Sequence, residues 1–329
     1  MISAEYPQIA GFAAEVGDLG GICQRPPTAV YIRGRSTRGV IWQRSRVAER
    51  RKRALRFCSN QVAERFDLYN HAYRGHDSDV YREIRLATYG RDFGLTSWVS
   101  TEEADAIPGL LNLSAGSQVL EIGFGSGHYG LYLARVSGCC ITGLEINANG
   151  VATADELARQ SGLGERATFQ KHDVSERLPF HGDSLDAAFS NDVFCHVPDR
   201  LSLLRELYRV LRPGGRLLFS DALVIGGLVT NEELAIRSSI GLYVFTAPGV
   251  NEKLLEEAGF HVEISRDTTY QAAVIAERWR DARRTHAARL VEIEGKANYE
   301  GLQRFLNCTF KLTSENRLQR YVYRASKRM

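Results

Sequence analysis

The segment Glu121–Gly127, EIGFGSG, decides the fold of this chain. It follows the apolar run SQVL and precedes HYGLYLARVSG, in which apolar residues recur at helical spacing. Alternating glycines permit positive φ angles and let a ligand approach the backbone closely. The helix behind them presents free N–H groups at its first turn. The segment therefore predicts a strand, a loop and a helix that together hold a nucleotide cofactor.

Strands and helices alternate on both sides of this segment. Helices are predicted between seven strands, with the turn RPGG before the fifth: SQVLEIG, CCITGLE, ATFQKHD, LDAAFSND, GRLLFSD, HVEISRD and RLQRYVYRASK. Such alternation predicts an α/β fold with a doubly wound, mostly parallel seven-stranded sheet. Short amphipathic helices from about residue 59 form an N-terminal helical cap, and the capping box Ser100-x-x-Glu103 opens the last of them.

The charge is unevenly distributed. Eleven of the 42 Lys and Arg but only four of the 39 Asp and Glu lie in residues 1–57, so the remainder is slightly acidic although the net charge is +3. Residues 1–58 are predicted to be a disordered basic extension. The helical cap then covers 59–112, and the cofactor-binding domain covers 113–329. Two helical insertions, at 222–249 and 270–316, interrupt that domain.

The glycine loop fits two cofactors. Gly125, Gly127 and Gly130 satisfy G-x-G-x-x-G, and Glu145 follows twenty residues after Gly125, as in NAD-binding loops. The turn should begin at Gly123, however, and from there the third glycine position falls on His128. A carboxylate two residues before the turn, Glu121, suits a cationic ligand better than a pyrophosphate. The register therefore disfavours NAD.

The string VLEIGFGSG resembles the first motif of class I S-adenosylmethionine (SAM)-dependent methyltransferases, V-L-[DE]-x-G-x-G-x-G. Four further motifs follow in that family's order: GLEI, KHDV, LDAAFSNDVFCHVPD and LYRVLRPGGRLLFSD. The resemblance runs from about residue 60 to the C-terminus and is nearest to the ubiquinone-biosynthesis-type and small-molecule (methyltransferase type 11-like) subgroup. It implies a Rossmann-like fold and SAM as the cofactor.

The resemblance also implies roles for individual residues. The three glycines of the loop pass under the methionine part of SAM, and Glu121 steers its ammonium group. Glu145 accepts hydrogen bonds from the ribose hydroxyls, and Asp173 accepts one from the adenine amine. The implied cofactor-binding residues are Glu121, Gly123, Gly125, Gly127, Glu145, Ile146, Asp173, Val174 and Asn191. Glu145 as a solvated strand-end acid and Asp173 as a turn former are the alternatives.

Methyl transfer from a sulfonium requires orientation of the acceptor, no metal, and a base only when the acceptor loses a proton. His196 is the candidate base, and the alternative is a packing role beside Pro198 and the helix cap Asp199. Candidate acceptor-binding residues are Tyr69, Tyr73, Trp98 and Tyr243, for which aromatic packing is the alternative. The arginine-rich stretch ERWRDARRTHAAR, 277–289, is predicted to be a solvated helix face.

These features predict SAM-dependent methylation of an amine nitrogen, a hydroxyl oxygen or a nucleophilic carbon of a small molecule. Three alternatives remain: an RNA or other nucleic-acid methyltransferase that uses the basic arm, an NAD-dependent oxidoreductase, and a SAM-binding protein without catalysis. Residues 191–194, NDVF, lack the N-P-P-Y pattern of base-amine methyltransferases. Without a C-x-x-C pair or an apolar run of about 18 residues, we expect a cytoplasmic protein without a membrane span. A homodimer stays open.

Overall fold

The computed structural model describes residues 65–329, so the predicted extension 1–58 and the first residues of the cap lie outside the described part. Seven strands form one sheet in the order β3-β2-β1-β4-β5-β7-β6. The strands are β1 Gln118–Ile122, β2 Cys140–Glu145, β3 Ala167–Lys171, β4 Leu185–Ser190, β5 Leu211–Ile225, β6 Phe260–Asp267 and β7 Leu318–Lys327. Neighbours among β1–β5 pair in parallel, and β7 pairs antiparallel to β5 and β6. The predicted mostly parallel, doubly wound sheet is confirmed.

Eleven α-helices flank or extend this sheet in the described part. They are α1 Tyr69–Arg74, α2 Asp79–Tyr89, α3 Thr101–Leu110, α4 His128–Ser137, α5 Ala148–Gln160, α6 Arg200–Val210, α7 Asn231–Arg237, α8 Val250–Glu257, α9 Thr269–Thr285, α10 Ala287–Glu294 and α11 Lys296–Ser314. The predicted capping box is present: Ser100 Oγ accepts the Glu103 N–H, and Glu103 accepts the Ser100 N–H. Asp199 caps α6 through the Ser202 N–H.

Alternate residues of each strand point to opposite faces of the sheet, and helices cover both faces. Val119, Ile141 and Phe189 pack beneath α3, α4 and α5. Leu120, Leu144 and Phe219 pack against α6 and α8 on the other face. This double burial explains the nearly continuous apolar runs of the central strands.

The prediction that the turn RPGG precedes the fifth strand was wrong, because β5 begins at Leu211. Leu211 already pairs with Leu185, and the next pair is Ala187 with Arg216, so residues 212–215 form an irregularity inside β5. Gly214 adopts φ +79° there. The Pro-Gly-Gly residues therefore form a bulge within β5, and the strand pairs with β4 again from Arg216 onward.

The long helices α9 and α11 pack with cap helix α2 in a third core cluster that contains Ile84, Trp279 and Phe305. The prediction that 277–289 is a solvated face was wrong in part. Arg283 is fully buried and forms a bidentate pair with Glu294, at 2.6 and 3.0 Å. The Tyr81 hydroxyl donates to the same carboxylate at 2.6 Å. A buried arginine is tolerated here because the Glu294 carboxylate balances its charge and accepts from both Nη atoms.

Within 65–329 no helix combines the length and the apolar character that crossing a membrane requires. The four cysteines in this range, Cys139, Cys140, Cys195 and Cys308, are free thiols.

Candidate functional site

A cavity of about 580 Å³ opens at the carboxyl ends of β1, β2 and β4. After β3 the chain returns to the centre of the sheet and continues with β4, which lies beside β1. The strand order therefore reverses between β1 and β4, and doubly wound sheets bind their ligands at such a switch point. Eleven of the fourteen predicted site residues line this cavity: Tyr69, Tyr73, Glu121, Gly123, Gly125, Glu145, Ile146, Asp173, Val174, Asn191 and His196. Gly127, Trp98 and Tyr243 do not line it.

The glycine loop runs along the floor of the cavity with φ near +60° at Gly125 and +79° at Gly127. A Cβ at Gly125 would lie 3.1 Å from the Tyr73 hydroxyl, so a side chain here would narrow the cavity. A Cβ at Gly127 would lie 2.5 Å from that of Ala154 on α5. Gly125 thus keeps the floor open, whereas Gly127 lets the loop pack against α5.

Glu145 ends β2 and holds the glycine loop. Its Oε2 accepts the Gly125 N–H at 3.1 Å, and its Oε1 accepts the Asn147 N–H at 2.9 Å. Burial raises the pKa of this carboxyl, although the backbone N–H groups of Asn147, Gly125 and Ile146 oppose that rise. Each carboxylate oxygen has a second lone pair, so Glu145 has capacity left for two hydroxyl donors in the cavity.

Glu121 lies on β1 beneath the first turn of α4. It is 4% exposed, and its Oε2 has no hydrogen-bond partner among the described residues. Burial, and secondly the nearby Glu145, raise the pKa of Glu121 to about 8. A buried carboxyl without a partner is costly and would gain strongly from a cationic group placed nearby. Its environment therefore fits a cationic ligand.

Gly130 has a role that the sequence reasoning missed. A Cβ at this position would lie 2.4 Å from Glu121 Oε2, so only glycine lets α4 pack this closely on β1. The last glycine of the apparent G-x-G-x-x-G string thus serves helix-to-strand packing in this fold. Its position three residues into the helix pattern was the available signal.

The rim of the cavity carries the remaining predicted cofactor residues. Ile146 is 62% exposed and offers an apolar face at the end of β2. Asp173 is exposed, and its Oδ1 already accepts the Ser175 N–H at 2.9 Å and the Ser175 hydroxyl at 2.7 Å. Asp173 therefore forms the turn that the sequence left as its alternative, while Oδ2 stays available. Asn191 also lines the cavity, and its Nδ2 is buried without a hydrogen-bond partner among residues 65–329.

His196 connects the cavity wall to the helical cap. Its Nδ1 lies 2.8 Å from the Leu242 carbonyl oxygen, which can only accept, so Nδ1 carries the proton. Nε2 therefore accepts from the Tyr69 hydroxyl at 3.1 Å. Burial lowers the pKa of His196 and raises that of Tyr69 well above 10. Both groups are neutral near pH 7, with the Tyr69 proton directed to an unprotonated imidazole nitrogen.

Two predicted aromatic residues lie behind the cavity wall. The Tyr243 ring stacks on the His196 ring, with centroids 4.6 Å apart and planes 26° apart. Trp98 is buried against Trp279 and Phe305, which matches the core role that the sequence left open for it. Its backbone N–H donates to Asp192 Oδ2 at 2.8 Å.

A buried charge network supports the loop after β4, and sequence reasoning missed it. Asp192 adopts φ +59° and accepts from Arg320 Nε at 2.9 Å and from the Ser220 hydroxyl at 2.8 Å. Arg320 on β7 also donates to Glu103 at 2.9 Å. The network fixes the segment that carries Asn191 and Val193 into the cavity. No local signal pairs Asp192 with a residue 128 positions away.

Residues 120–219 match the family described as methyltransferase domain. Over 173 residues the chain is 31% identical to 27-O-demethylrifamycin SV methyltransferase of Amycolatopsis mediterranei (strain S699), covering 52% of this chain and 63% of that protein. It is 30% identical to phosphoethanolamine N-methyltransferase 1 of Triticum aestivum, over 61% of this chain and 40% of that one. The chain thus spans less than two thirds of the length of these curated relatives.

Among solved structures, the fold is similar to that of phosphoethanolamine N-methyltransferase 2 of Haemonchus contortus, in complex with phosphomonomethylethanolamine and S-adenosylhomocysteine. The TM-score is 0.67 at 20% identity, over 80% of this chain and 61% of that chain. At this identity the likeness concerns the fold alone.

Proposed function

Because the chain carries a class I SAM-dependent methyltransferase domain, we propose that it transfers the methyl group of SAM to a small-molecule acceptor. One observation carries this proposal. The unpartnered Glu121 carboxyl, the loop-holding Glu145 carboxylate and the His196–Tyr69 pair all line the same cavity. A cationic cofactor and a proton-losing acceptor would both find their complementary groups there.

The described residues fit SAM. Glu145 would accept from the ribose hydroxyls, Ile146 would cover one face of the adenine, and Asp173 would accept its amine through the free Oδ2. The glycine loop would pass under the methionine part, with Glu121 below it and Asn191 Nδ2 beside it. When bound, SAM supplies a methyl group already activated by its sulfonium charge. The chain itself contributes orientation, the largest contribution that such a transfer requires.

The His196–Tyr69 pair would manage the proton of the acceptor. A hydroxyl or ammonium held at the Tyr69 oxygen can pass its proton to that oxygen while Tyr69 passes its own to His196 Nε2. The Leu242 carbonyl then stabilises the imidazolium through Nδ1–H. This arrangement favours a nitrogen or oxygen acceptor, since attack by an electron-rich double bond requires no such transfer beforehand.

The acceptor side of the cavity is apolar. Val193, Val197, Ile240 and Leu242 line it beside Tyr69, and none of its described lining residues is a lysine or an arginine. Apolar walls with a few placed polar groups are typical of sites for small organic ligands. We therefore propose an acceptor without a negatively charged group. Two of the alternatives, nucleic-acid methylation and NAD-dependent oxidation, gain no support from this lining.

Replacing Tyr69 by Phe should lower kcat by roughly 10- to 100-fold, because the acceptor proton loses its path to His196. The affinity for S-adenosylhomocysteine should change less than about twofold, since the tyrosine hydroxyl has no assigned role in cofactor binding. Steady-state kinetics and calorimetry measure the two quantities. Tyr270, which is 78% exposed, gives the matched control Tyr270→Phe. An unchanged kcat in Tyr69→Phe would exclude the proton path.

Binding of SAM at pH 7 should release a proton from Glu121. The pKa of this carboxyl is about 8, so it is mainly protonated in the free protein, and a nearby cation lowers that pKa. Affinity should accordingly rise with pH up to about 8, by at most tenfold per pH unit. Calorimetry in two buffers of different ionisation enthalpy measures the released proton. Glu121→Gln should release none, and equal release by both proteins would contradict the assignment.

The proposed function is tested by titrating SAM, S-adenosylhomocysteine and NAD into the wild-type chain. Micromolar binding of the first two, followed by transfer of labelled methyl groups to members of an uncharged amine and alcohol panel, is the expected result. A protein that binds NAD but not S-adenosylhomocysteine would overturn the proposal.

The free thiols support a reducing, cytoplasmic location. The homodimer remains a proposal that sedimentation analysis tests.

A further inference from the structure

Arg237 is an unusual charge in this fold. It ends α7 with 1% of its surface exposed. Its Nε and Nη1 are buried and have no hydrogen-bond partner in the described part of the chain. Other fully buried arginines in residues 65–329 have carboxylate partners: Arg283 pairs with Glu294, and Arg320 pairs with Glu103 and Asp192. Arg237 forms no ion pair within that range. A buried cation without a counterion is costly, so its presence requires compensation or a use.

Three aromatic rings provide part of that compensation. The Arg237 guanidinium carbon lies 4.7 Å from the ring centroid of Phe305, 5.1 Å from that of Tyr243 and 5.7 Å from that of Trp98. Aromatic faces attract cations within about 6 Å. They do not cancel the charge, however, so its field still acts on neighbouring groups.

The field of Arg237 acts on the proposed proton acceptor. One of the three rings, Tyr243, stacks directly on His196. His196 in turn accepts from Tyr69. Arg237 is therefore one aromatic ring away from the imidazole, while it remains outside the cavity lining. The rings that it contacts, those of Trp98, Tyr243 and Phe305, also lie outside that lining.

The other charges near His196 are locally paired. Asp192 faces it from the loop after β4 and is bound by Arg320, and Asp221 faces it from β5 and is bound by Arg200 of α6. Cys195, Tyr69 and Tyr243 are neutral near pH 7, since burial raises the pKa of each thiol or phenol. Among residues 65–329, Arg237 is thus the unpaired charge near His196, and a cation there disfavours a second positive charge on the imidazole.

We propose that Arg237 is a positioning residue that keeps His196 in its neutral, proton-accepting form and fixes its ring through Tyr243. The proposal rests on the proposed function for its meaning in catalysis. Its electrostatic part concerns the protein alone and can be measured without an acceptor. Removing the positive charge should make His196 easier to protonate, and a lysine in its place should largely preserve the neutral state.

The test is the titration of the His196 ring nitrogens by ¹⁵N NMR in the full chain, comparing wild type with Arg237→Met and Arg237→Lys. We expect the titration midpoint of His196 to rise by roughly 1 pH unit in Arg237→Met, because the repulsion between the guanidinium and the imidazolium is lost. In Arg237→Lys the positive charge remains, so the midpoint should move little. An unchanged midpoint in Arg237→Met overturns the proposal. Equal shifts in both variants overturn it too, because they would indicate packing rather than charge.

A second variant keeps the test valid if Arg237→Met does not fold. Burial raises the pKa of the Cys308 thiol on α11, and the nearby Arg237 charge opposes that rise. Cys308→Asp would keep Arg237 and give its guanidinium a counterion. The titration midpoint of His196 should then rise, as in Arg237→Met. Cys308→Asn is its uncharged control. A midpoint that moves equally in both Cys308 variants would overturn the proposal.

A parallel titration with S-adenosylhomocysteine separates this inference from the proposed function. The affinity of Arg237→Met for this ligand should stay within about twofold of wild type, because Arg237 does not line the cavity. Wild-type protein that fails to bind the ligand would defeat the proposed function, whereas the His196 titration would still decide the electrostatic role.

Discussion

Glu145→Ala should weaken the binding of S-adenosylhomocysteine by roughly 100-fold. The variant loses two charge-assisted hydrogen bonds to the ligand's ribose and releases the Gly125 N–H that fixes the cavity floor. Glu145→Gln keeps an oxygen acceptor but removes the charge and should fall between wild type and Ala. Calorimetric titration measures the dissociation constants, and thermal unfolding checks that each variant is folded.

The exposed Glu165→Gln supplies the matched control, with an affinity equal to wild type. A Glu145→Ala protein that binds the ligand within threefold of wild type would show that Glu145 serves only the loop. The solvated strand-end alternative is already excluded, because Glu145 is buried and accepts from two backbone N–H groups.

Arg320→Met should lower the free energy of unfolding by about 3–5 kcal/mol, because it leaves the buried Glu103 and Asp192 without a counterion. Tm should fall by about 10 °C for a chain of this size. Denaturant unfolding measures the free energy, and a calorimetric scan measures Tm. Affinity for the cofactor should fall as well, since Asp192 lines the cavity.

Arg212 offers the contrast, because it pairs with Asp186 on the surface, with 46% and 35% of the two side chains exposed. Arg212→Met should cost less than about 1 kcal/mol. Adding Asp192→Asn and Glu103→Gln to Arg320→Met should recover part of the loss, because the uncompensated charges are then gone. If Arg320→Met costs no more than Arg212→Met, the network has no stabilising role.

Much of the candidate site was predictable because it depends on strand ends. Glu145, Asp173 and Asn191 each lie at or just after the end of a predicted strand, and parallel strands bring their carboxyl ends to one edge of the sheet. Eleven predicted residues consequently line one cavity. Gly127 could not be separated from Gly125 in this way, because its neighbour Ala154 belongs to the next helix and not to the loop.

The sequence by itself determined the periodicity of the strands and helices, the glycine loop and the order of acidic strand ends, since each is a property of a few consecutive residues. Only the tertiary structure decided the pairs between separate elements: Tyr69 with His196, Asp192 with Arg320, and Arg283 with Glu294. A charged residue in a helical pattern is read as exposed, because burial is favourable only with a partner. Because another element of the fold supplies that partner, the sequence pattern of the helix alone cannot predict that the charged residue is buried.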